Sequence, residues 1–255
     1  MTDTQEVKAF DLADFMQDIS ESARYLKMLI YGEPKVGKTT FAGTAPSPLF
    51  LTVEPGTAVL TKNEENRIRF KDTKTIPLKN MSMLTAITKG LRAGQAPERK
   101  TIVLDSLTEF EKRVLMQWTP VAMEKGFTEN KNIYAPTWPE YNSVTNILRK
   151  GIWELRDIDR HIIVICHCRD DKDKTRGGLS VDRPALMPSL GNSLAAMFNL
   201  VGYMYMENGK TYMQVQASPT VVAGSHLWDG PPIVENPTFD TFRIDIERAA
   251  TNGNG

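Results

Sequence analysis

A glycine-rich segment near the N-terminus has the residue types and the spacing of a phosphate-binding loop. The segment fits the pattern G-x-x-x-x-G-K-[ST], and its residues are Gly32, Glu33, Pro34, Lys35, Val36, Gly37, Lys38 and Thr39. Glycines let the backbone curl so that successive N–H groups point at phosphate oxygens, and a helix that follows adds its positive N-terminal end. An apolar run precedes the motif and a helix-compatible run follows it. The sequence therefore predicts a nucleoside triphosphate site, with an ordinary glycine turn as the alternative.

The polar residues that close this loop have separate expected roles. Lys38 is expected to reach the β- and γ-phosphates, and Thr39 to place its hydroxyl on Mg²⁺. Thr40 is expected to contact the α-phosphate. We therefore predict ATP and Mg²⁺ as the bound groups.

Two carboxylates follow apolar runs of strand length. Glu54 comes after residues 49–53, and Asp105 comes after residues 101–104. Ligands of doubly wound sheets bind at the carboxyl ends of the strands, so both side chains should lie near the phosphates. Glu54 is predicted to be a general base that orients water, with a solvated turn glutamate as the alternative. Asp105 is predicted to hold Mg²⁺, usually through water.

His167 ends a further apolar run, at residues 161–168, and is a candidate sensor of the γ-phosphate. A histidine at a strand end can equally be structural. The polar, glycine-containing residues 169–183 follow it and are predicted to be mobile. Their basic side chains are candidate DNA contacts: Arg169, Lys172, Lys174, Arg176 and Arg183.

Hydrophobic periodicity predicts the elements that position these residues. The predicted strands are residues 26–31, 49–53, 67–70, 101–104, 161–168, 200–206 and 211–216. The predicted helices are residues 38–45, 80–93, 106–118 and 139–158, with a short helix within residues 184–199. A long loop is expected at residues 119–139, and Asn208-Gly209 is a favoured hairpin turn. The pattern is typical of an α/β fold with a mostly parallel central sheet, helices on both faces and an antiparallel edge hairpin.

The domain organisation predicted from this pattern is an arm, a core and an extension. Residues 1–24 form an N-terminal arm or short helix, with an amphipathic stretch at 12–23. Residues 25–218 form the ATPase core. Residues 219–255 form a C-terminal extension with a fraying tail.

Composition narrows the function classes. The 255 residues include 31 basic and 31 acidic side chains, so no global field draws the protein to nucleic acid. DNA binding would then need a local patch or an oligomer. Cys166 and Cys168 are interpreted as reduced, buried thiols, because no second pair completes a zinc site. The N-terminus lacks a signal-peptide layout and no apolar run approaches membrane-spanning length, so we expect a soluble, cytoplasmic protein with no membrane partner.

In their order, the motifs resemble those of RecA-like P-loop ATPases. The chain contains GEPKVGKT, LTVEPG, TIVLDS and IIVICHCRD, then a polar segment and a hairpin. More narrowly, it is similar to the AAA-type, phage-encoded RecA-like nucleotide-binding proteins of the single-strand annealing or recombinase group. Their shared layout is YGxPKxGKT, strand-Glu, hhhDS and hhHxxD. The resemblance covers residues 26–216.

This resemblance implies an ATPase that binds single-stranded DNA and acts as a homo-oligomer, in a ring or a filament. A single-strand-binding protein is a further candidate partner. The resemblance implies that Glu54 is the catalytic carboxylate, and that Asp105 and Ser106 are the Mg²⁺ and water contacts. It also implies that His167 senses the γ-phosphate and relays its state to residues 169–183, which would contact DNA.

One feature departs from that family. RecA-like ATPases usually complete the site with a lysine or arginine from a neighbouring subunit, carried soon after the hairpin, whereas residues 216–230 (QASPTVVAGSHLWDG) contain neither. Either Lys172, Lys174, Arg176 or Arg183 serves instead, or hydrolysis is slow and the protein is chiefly a nucleotide-gated binder.

Other function classes fit the sequence less well. A small-molecule kinase would need an arginine-rich lid, and a GTPase would need an N-K-x-D motif, and the sequence contains neither pattern. A nucleotide-binding interaction or packaging module without DNA-directed catalysis remains the main alternative.

Overall fold

A mixed, mostly parallel sheet forms the centre of the computed structural model, which describes residues 24–173 and 178–243. The strands are β1 (Lys27–Gly32), β2 (Pro48–Thr52), β3 (Lys74–Pro77), β4 (Thr101–Asp105), β5 (His161–Asp173), β6 (Leu179–Pro184), β7 (Leu200–Glu207), β8 (Lys210–Gln214), β9 (Gly224–Ser225) and β10 (Ile233–Glu235). The helices are α1 (Lys38–Gly43), α2 (Glu64–Arg69), α3 (Met81–Arg92), α4 (Leu107–Glu124), α5 (Trp138–Arg156) and α6 (Pro188–Ala195), with a 3₁₀ helix at Pro55–Thr61.

The strand order confirms the predicted α/β class. The order is β3-β2-β4-β5-β1-β7-β8-β10, and the pairs from β3 to β7 are parallel. Strand β8 pairs antiparallel with β7 in the predicted hairpin, whose turn residues Asn208 and Gly209 have φ values of 50° and 75°. The short β10 pairs antiparallel with β8. Strand β10, rather than the hairpin, therefore ends the strand order on this side.

Alternation along the strands gives each face of the sheet its own core. On β1, Leu29 and Tyr31 point to the face that α3, α4, α5 and α6 cover. Met28 and Ile30 point to the opposite face, which is covered by α1, the 3₁₀ helix and Phe239. Near-continuous apolar strands are expected when a parallel sheet is covered on both faces. This explains why the central strands stand out in the sequence as continuous apolar runs.

The carboxyl ends of the central strands meet at one edge of the sheet. Gly32, at the end of β1, is in register with His167 of β5. Thr52, two residues before Glu54, is in register with Asp105 at the end of β4. The strand register therefore brings together the P-loop and the three side chains predicted to act with it.

The strand predicted at residues 67–70 is wrong, because this segment belongs to helix α2. Asn63 caps the helix by accepting a hydrogen bond from the backbone N–H of Asn66, at 2.8 Å. Acidic residues occupy the first turn and basic residues the last, which is the arrangement that a helix dipole favours. Capping and charge therefore determine helix α2, which has no buried side chain.

The long loop predicted at residues 119–139 is shorter than expected, because α4 continues through Pro120 to Glu124. The hydroxyl of Thr119 donates to the carbonyl of Leu115 at 2.9 Å, next to the backbone position where proline lacks an N–H. Helix α5 then begins at Trp138, where the N–H of Thr137 donates to Glu140 Oε2 at 2.5 Å. Only residues 125–137 connect the two helices.

Residues 169–183 were predicted to be a mobile segment. Where the structure describes them, most of these residues are instead paired in two antiparallel strands. Strand β5 continues to Asp173, and β6 pairs with it antiparallel from Cys168 opposite Pro184 to Asp173 opposite Leu179. We call residues 168–173 and 178–184 the β5–β6 arm. Polar side chains do not prevent such pairing, because the backbone supplies the ladder hydrogen bonds.

The segment after residue 218, predicted to be an extension, adds to the same sheet and core. Strand β9 pairs with β7, and Phe239 and Phe242 are buried. The ring of Phe242 lies against Phe41 of α1, with centroids 6.0 Å apart. The predicted N-terminal helix at residues 12–23 and the tail at 244–255 lie outside the described residues.

Candidate functional site

The P-loop has the backbone geometry of an anion-binding concavity. Lys35 and Gly37 adopt left-handed φ values of 70° and 100°, and such residues turn neighbouring N–H groups towards one side. A Cβ at Gly32 would lie 2.0 Å from the carbonyl oxygen of Met204, so the start of the loop accepts only glycine. The loop then enters α1 at Lys38, where the carbonyl of Gly37 accepts the N–H of Phe41 at 2.8 Å.

Lys38 is folded over the loop. Its ammonium donates to the carbonyls of Gly32, at 2.8 Å, and Glu33, at 2.7 Å. Burial lowers the pKa of Lys38, and the charge of Asp105 opposes that shift. The two hydrogen bonds use two of the three ammonium donors, so a donor remains for a phosphate oxygen.

Thr39 and Asp105, the predicted Mg²⁺ residues, are in contact. The Thr39 hydroxyl donates to Asp105 Oδ2 at 2.8 Å. Burial raises the pKa of Asp105, and the Thr39 hydrogen bond opposes that shift. A Cβ at Gly56 would lie 3.5 Å from both oxygens, so a small residue faces the pair.

This donor set fits Mg²⁺ as a P-loop site holds it. Mg²⁺ prefers oxygen ligands, keeps several waters, and takes the rest of its ligands from one or two protein groups and the phosphates. Within residues 24–173 and 178–243 no group of three or more His, Cys, Asp or Glu side chains is arranged to hold a metal. The Thr39 hydroxyl and the Asp105 carboxylate, which are in contact, are the protein groups that would position the ion, and the ion would neutralise charge on the phosphates.

Glu54 lies beside the two other predicted catalytic-site groups. Its Oε1 accepts a hydrogen bond from the Ser106 hydroxyl and lies 3.1 Å from His167 Nε2. The strand end before it is fixed, because the Val53 N–H donates to the Asp105 carbonyl at 2.8 Å and Arg113 donates to the Val53 carbonyl at 3.1 Å. The carboxylate is thus held at the sheet edge that contains Lys38, Thr39 and Asp105.

His167 is anchored through its backbone as well as its ring. Its N–H donates to the Thr108 hydroxyl at 3.0 Å, and its carbonyl accepts the Ala185 N–H at 2.8 Å. On the other side of the ring, Nδ1 lies 4.0 Å from Glu109 Oε1. Sequence reasoning missed both Thr108 and Glu109. The signal was present, because Ser106 followed three residues later by Glu109 is a capping-box pattern that marks the start of α4 at this site.

The predicted DNA contacts fall into three groups. Arg169 and Arg183 are opposite each other in the β5–β6 arm and therefore share one face. Their Nε atoms lie 2.8 and 4.0 Å from Asp171 Oδ2. Lys172 is exposed and points to the other face, because successive side chains of a strand alternate. Lys174 and Arg176 lie outside the described residues.

A cleft of about 740 Å³ has His167 in its lining. Arg169 and Lys112 contribute positive charge to its lining, and Trp138 and Tyr141 contribute aromatic rings. Trp138 is 75% exposed and Tyr141 is 41% exposed. Trp138 falls within the loop predicted at residues 119–139, but the sequence gave no signal that Lys112 and Tyr141 would face the same space.

This chain is similar to one protein family and to solved structures of other proteins. Residues 24–227 match a protein family described as an AAA domain. A solved structure described as the crystal structure of the RadB recombinase is similar over 82% of this chain and 86% of that chain, with 14% sequence identity and a TM-score of 0.45. No curated protein matches the sequence. The family match covers most of the chain, and together with the strand order it confirms the predicted RecA-like P-loop NTPase fold.

Among residues 24–173 and 178–243, no helix is long and apolar enough to cross a membrane.

Proposed function

We propose that this chain, which belongs to the AAA-domain family, binds Mg²⁺ and ATP at the P-loop and hydrolyses ATP in response to single-stranded DNA. The observation that carries the ATPase part is the meeting of five side chains at one sheet edge. Lys38, the Thr39–Asp105 pair, and Glu54 with His167 come from four separate segments of the chain, and the strand register brings them together.

Each group has a defined task in hydrolysis. The loop N–H groups and Lys38 bind the phosphates, and Thr39 and Asp105 position the metal ion. Glu54 accepts a hydrogen bond from the attacking water and orients it, and His167, in contact with Glu54, reports whether the γ-phosphate is present. Phosphoryl transfer needs positioning and charge stabilisation more than covalent help from the protein. Fixing Glu54 through Val53 and Arg113 serves that requirement.

The cleft beside His167 supports single-stranded DNA as the partner. Stacking on aromatic side chains and contact of phosphates with basic side chains are the usual means of binding single strands. Trp138 and Tyr141 offer the first, and Lys112 and Arg169 offer the second. Since the whole chain has no net charge, a homo-oligomer that repeats this cleft along a strand would provide the affinity that one subunit lacks.

Oligomer formation would also complete the ATP site. Arg113, which donates to the carbonyl of the residue before Glu54, uses its guanidinium on the carbonyls of Leu78 and Val53. A lysine or arginine from a neighbouring subunit would then supply the remaining positive charge at the γ-phosphate. A ring and a filament both meet this requirement.

A second candidate function is a nucleotide-binding interaction module with little turnover. It is favoured by the state of Glu54, whose Oε1 is already engaged by Ser106 and lies within contact of His167. A carboxylate oxygen with two such neighbours is less available to water.

One experiment separates the two functions. Binding of a fluorescent oligodeoxythymidine is measured with ATP, with a non-hydrolysable analogue and without nucleotide, for the parent and for Lys38→Ala, and ATP turnover is measured with and without the strand. The proposed function predicts nucleotide-dependent strand binding and strand-stimulated turnover, both lost in Lys38→Ala. Nucleotide binding without turnover or strand binding supports the interaction module. Strand affinity that is the same under all conditions contradicts the proposed coupling.

A further inference from the structure

Two carboxylates face the two nitrogens of the His167 ring. Nε2 lies 3.1 Å from Glu54 Oε1, and Nδ1 lies 4.0 Å from Glu109 Oε1. A neutral imidazole carries one N–H, so it can donate to only one of the two carboxylates at a time. The shorter of the two distances favours the tautomer with its N–H on Nε2, donating to Glu54.

Lys112 explains why Glu109 does not compete for the ring in this structure. The ammonium of Lys112 lies 2.6 Å from Glu109 Oε1, the same oxygen that faces His167 Nδ1. Glu109 and Lys112 are three residues apart on α4, one turn of the helix, so their side chains are neighbours. The ion pair with Lys112 draws the charge of Glu109 Oε1 away from the ring, so this oxygen is a weaker acceptor for His167 while Lys112 remains in place.

Lys112 is also accessible from the cleft. Its side chain is 64% exposed, and it lines the cleft together with His167 and Arg169. A phosphate entering the cleft offers Lys112 a charged partner in place of Glu109. Such a ligand would free the Glu109 oxygen without touching the ATP site.

We propose that Glu109 is a positioning residue for His167, and that a phosphodiester strand in the cleft activates hydrolysis by drawing Lys112 away from Glu109. This inference rests on the proposed function for the identity of the strand. Once released, Glu109 accepts the imidazole N–H at Nδ1, so Nε2 becomes an acceptor. The proton leaves Nε2 to solvent and another arrives at Nδ1, and the net charge of the ring is unchanged.

The change of tautomer alters Glu54. In the resting arrangement Glu54 Oε1 receives hydrogen bonds from both Ser106 and His167. When Nε2 no longer donates, this oxygen loses one donor and becomes available to the attacking water. Lys112, Glu109 and His167 thus connect the cleft to the general base through three successive contacts.

The test uses the full chain and two readouts. Turnover of ATP is measured with and without an oligodeoxythymidine, and the His167 tautomer is read from ¹⁵N chemical shifts of the imidazole ring, where three histidines give few signals. The signals of His167 are assigned by their loss in His167→Asn. The variants are Lys112→Ala and Glu109→Ala, and the matched control is Lys125→Ala, an exposed lysine at the far end of the same helix.

The expected result for Lys112→Ala is a strand-free kcat raised about fivefold, as loss of one hydrogen bond to Glu54 implies. Its KM for ATP should be unchanged, its stimulation by the strand should nearly disappear, and His167 should carry its proton on Nδ1. Glu109→Ala should lose stimulation by the strand and hold the proton on Nε2 with and without the strand. Lys125→Ala should behave as the parent.

Other outcomes overturn the inference. A Lys112→Ala protein with the parent's strand-free kcat and the parent's His167 tautomer contradicts it, as does a Glu109→Ala protein that the strand still stimulates. Failure of the proposed function is distinguishable, because a parent that hydrolyses ATP but ignores the strand can still show the raised kcat and the changed tautomer in Lys112→Ala. A parent without any turnover overturns both.

Discussion

Replacement of Glu54 by glutamine tests the assigned general base with little structural change. Glutamine has the same shape, and its amide oxygen can still accept from Ser106 and lie against His167, the two neighbours of Glu54 Oε1. The phosphates and the metal ion are assigned to other residues, Lys38, Thr39 and Asp105. The substitution therefore removes the carboxylate charge and leaves the ATP-binding groups in place.

We expect Glu54→Gln to lower kcat by about 10²–10⁴, the usual contribution of a general base. This corresponds to about 3–5 kcal/mol of activation free energy. Affinity for ATP should change less than about threefold, because a charge that acts only on the water does not contribute to ground-state binding.

The assay is phosphate release at saturating ATP and Mg²⁺, with affinity measured in parallel from a fluorescent ATP analogue. Glu124→Gln, an exposed carboxylate at the end of α4, is the matched control. A Glu54→Gln protein that retains kcat within about tenfold of the parent would refute the assignment of Glu54 as the base.

Three further predictions concern the metal, the loop and a buried acid. Asp105→Asn should raise the Mg²⁺ concentration for half-maximal turnover by about 10–100-fold, because the carboxylate that orients the ion's ligands is lost; an unchanged Mg²⁺ titration contradicts this. Gly32→Ala should lower the free energy of unfolding by at least about 2 kcal/mol in urea denaturation, because the added Cβ would lie 2.0 Å from the Met204 carbonyl oxygen, and an unchanged urea midpoint would show that the loop relaxes freely. Burial raises the pKa of Glu111 from its ordinary 4.5 to about 7. Between these two pH values the folded protein binds more protons than the unfolded chain, so its free energy of unfolding falls as the pH rises. Glu111→Gln should remove that loss, which is of the order of 3 kcal/mol, and parallel stability curves for parent and variant between pH 4.5 and 8 would rule it out.

The parts of the fold that depend on burial could be predicted from the sequence. The central strands are apolar on both faces, and the carboxyl ends of parallel strands meet at one edge, so Glu54, Asp105 and His167 were expected near the P-loop without any coordinates. The structure brings these three residues together with Lys38 and Thr39.

The missed parts depend on contacts that hydrophobic pattern does not encode. Helix α2 is specified by the Asn63 cap and its charges, and no side chain within it is buried. The β5–β6 arm forms through backbone pairing, which polar composition neither predicts nor excludes. Glu109 reaches His167 only because α4 packs beside β5, a tertiary contact between residues far apart in the chain.

Strand β5 has a mechanical consequence for how the two halves of this site communicate. Its 13 residues span about 43 Å at the usual rise per residue, and His167 stands at the midpoint. On one side of that pivot the strand is clamped between β1 and β4, and on the other it carries β6. A small change in the backbone dihedrals at His167 would therefore shift Gly32, the P-loop glycine beside it. Because the backbone is continuous, the same change would produce a larger displacement at the tip of the β5–β6 arm.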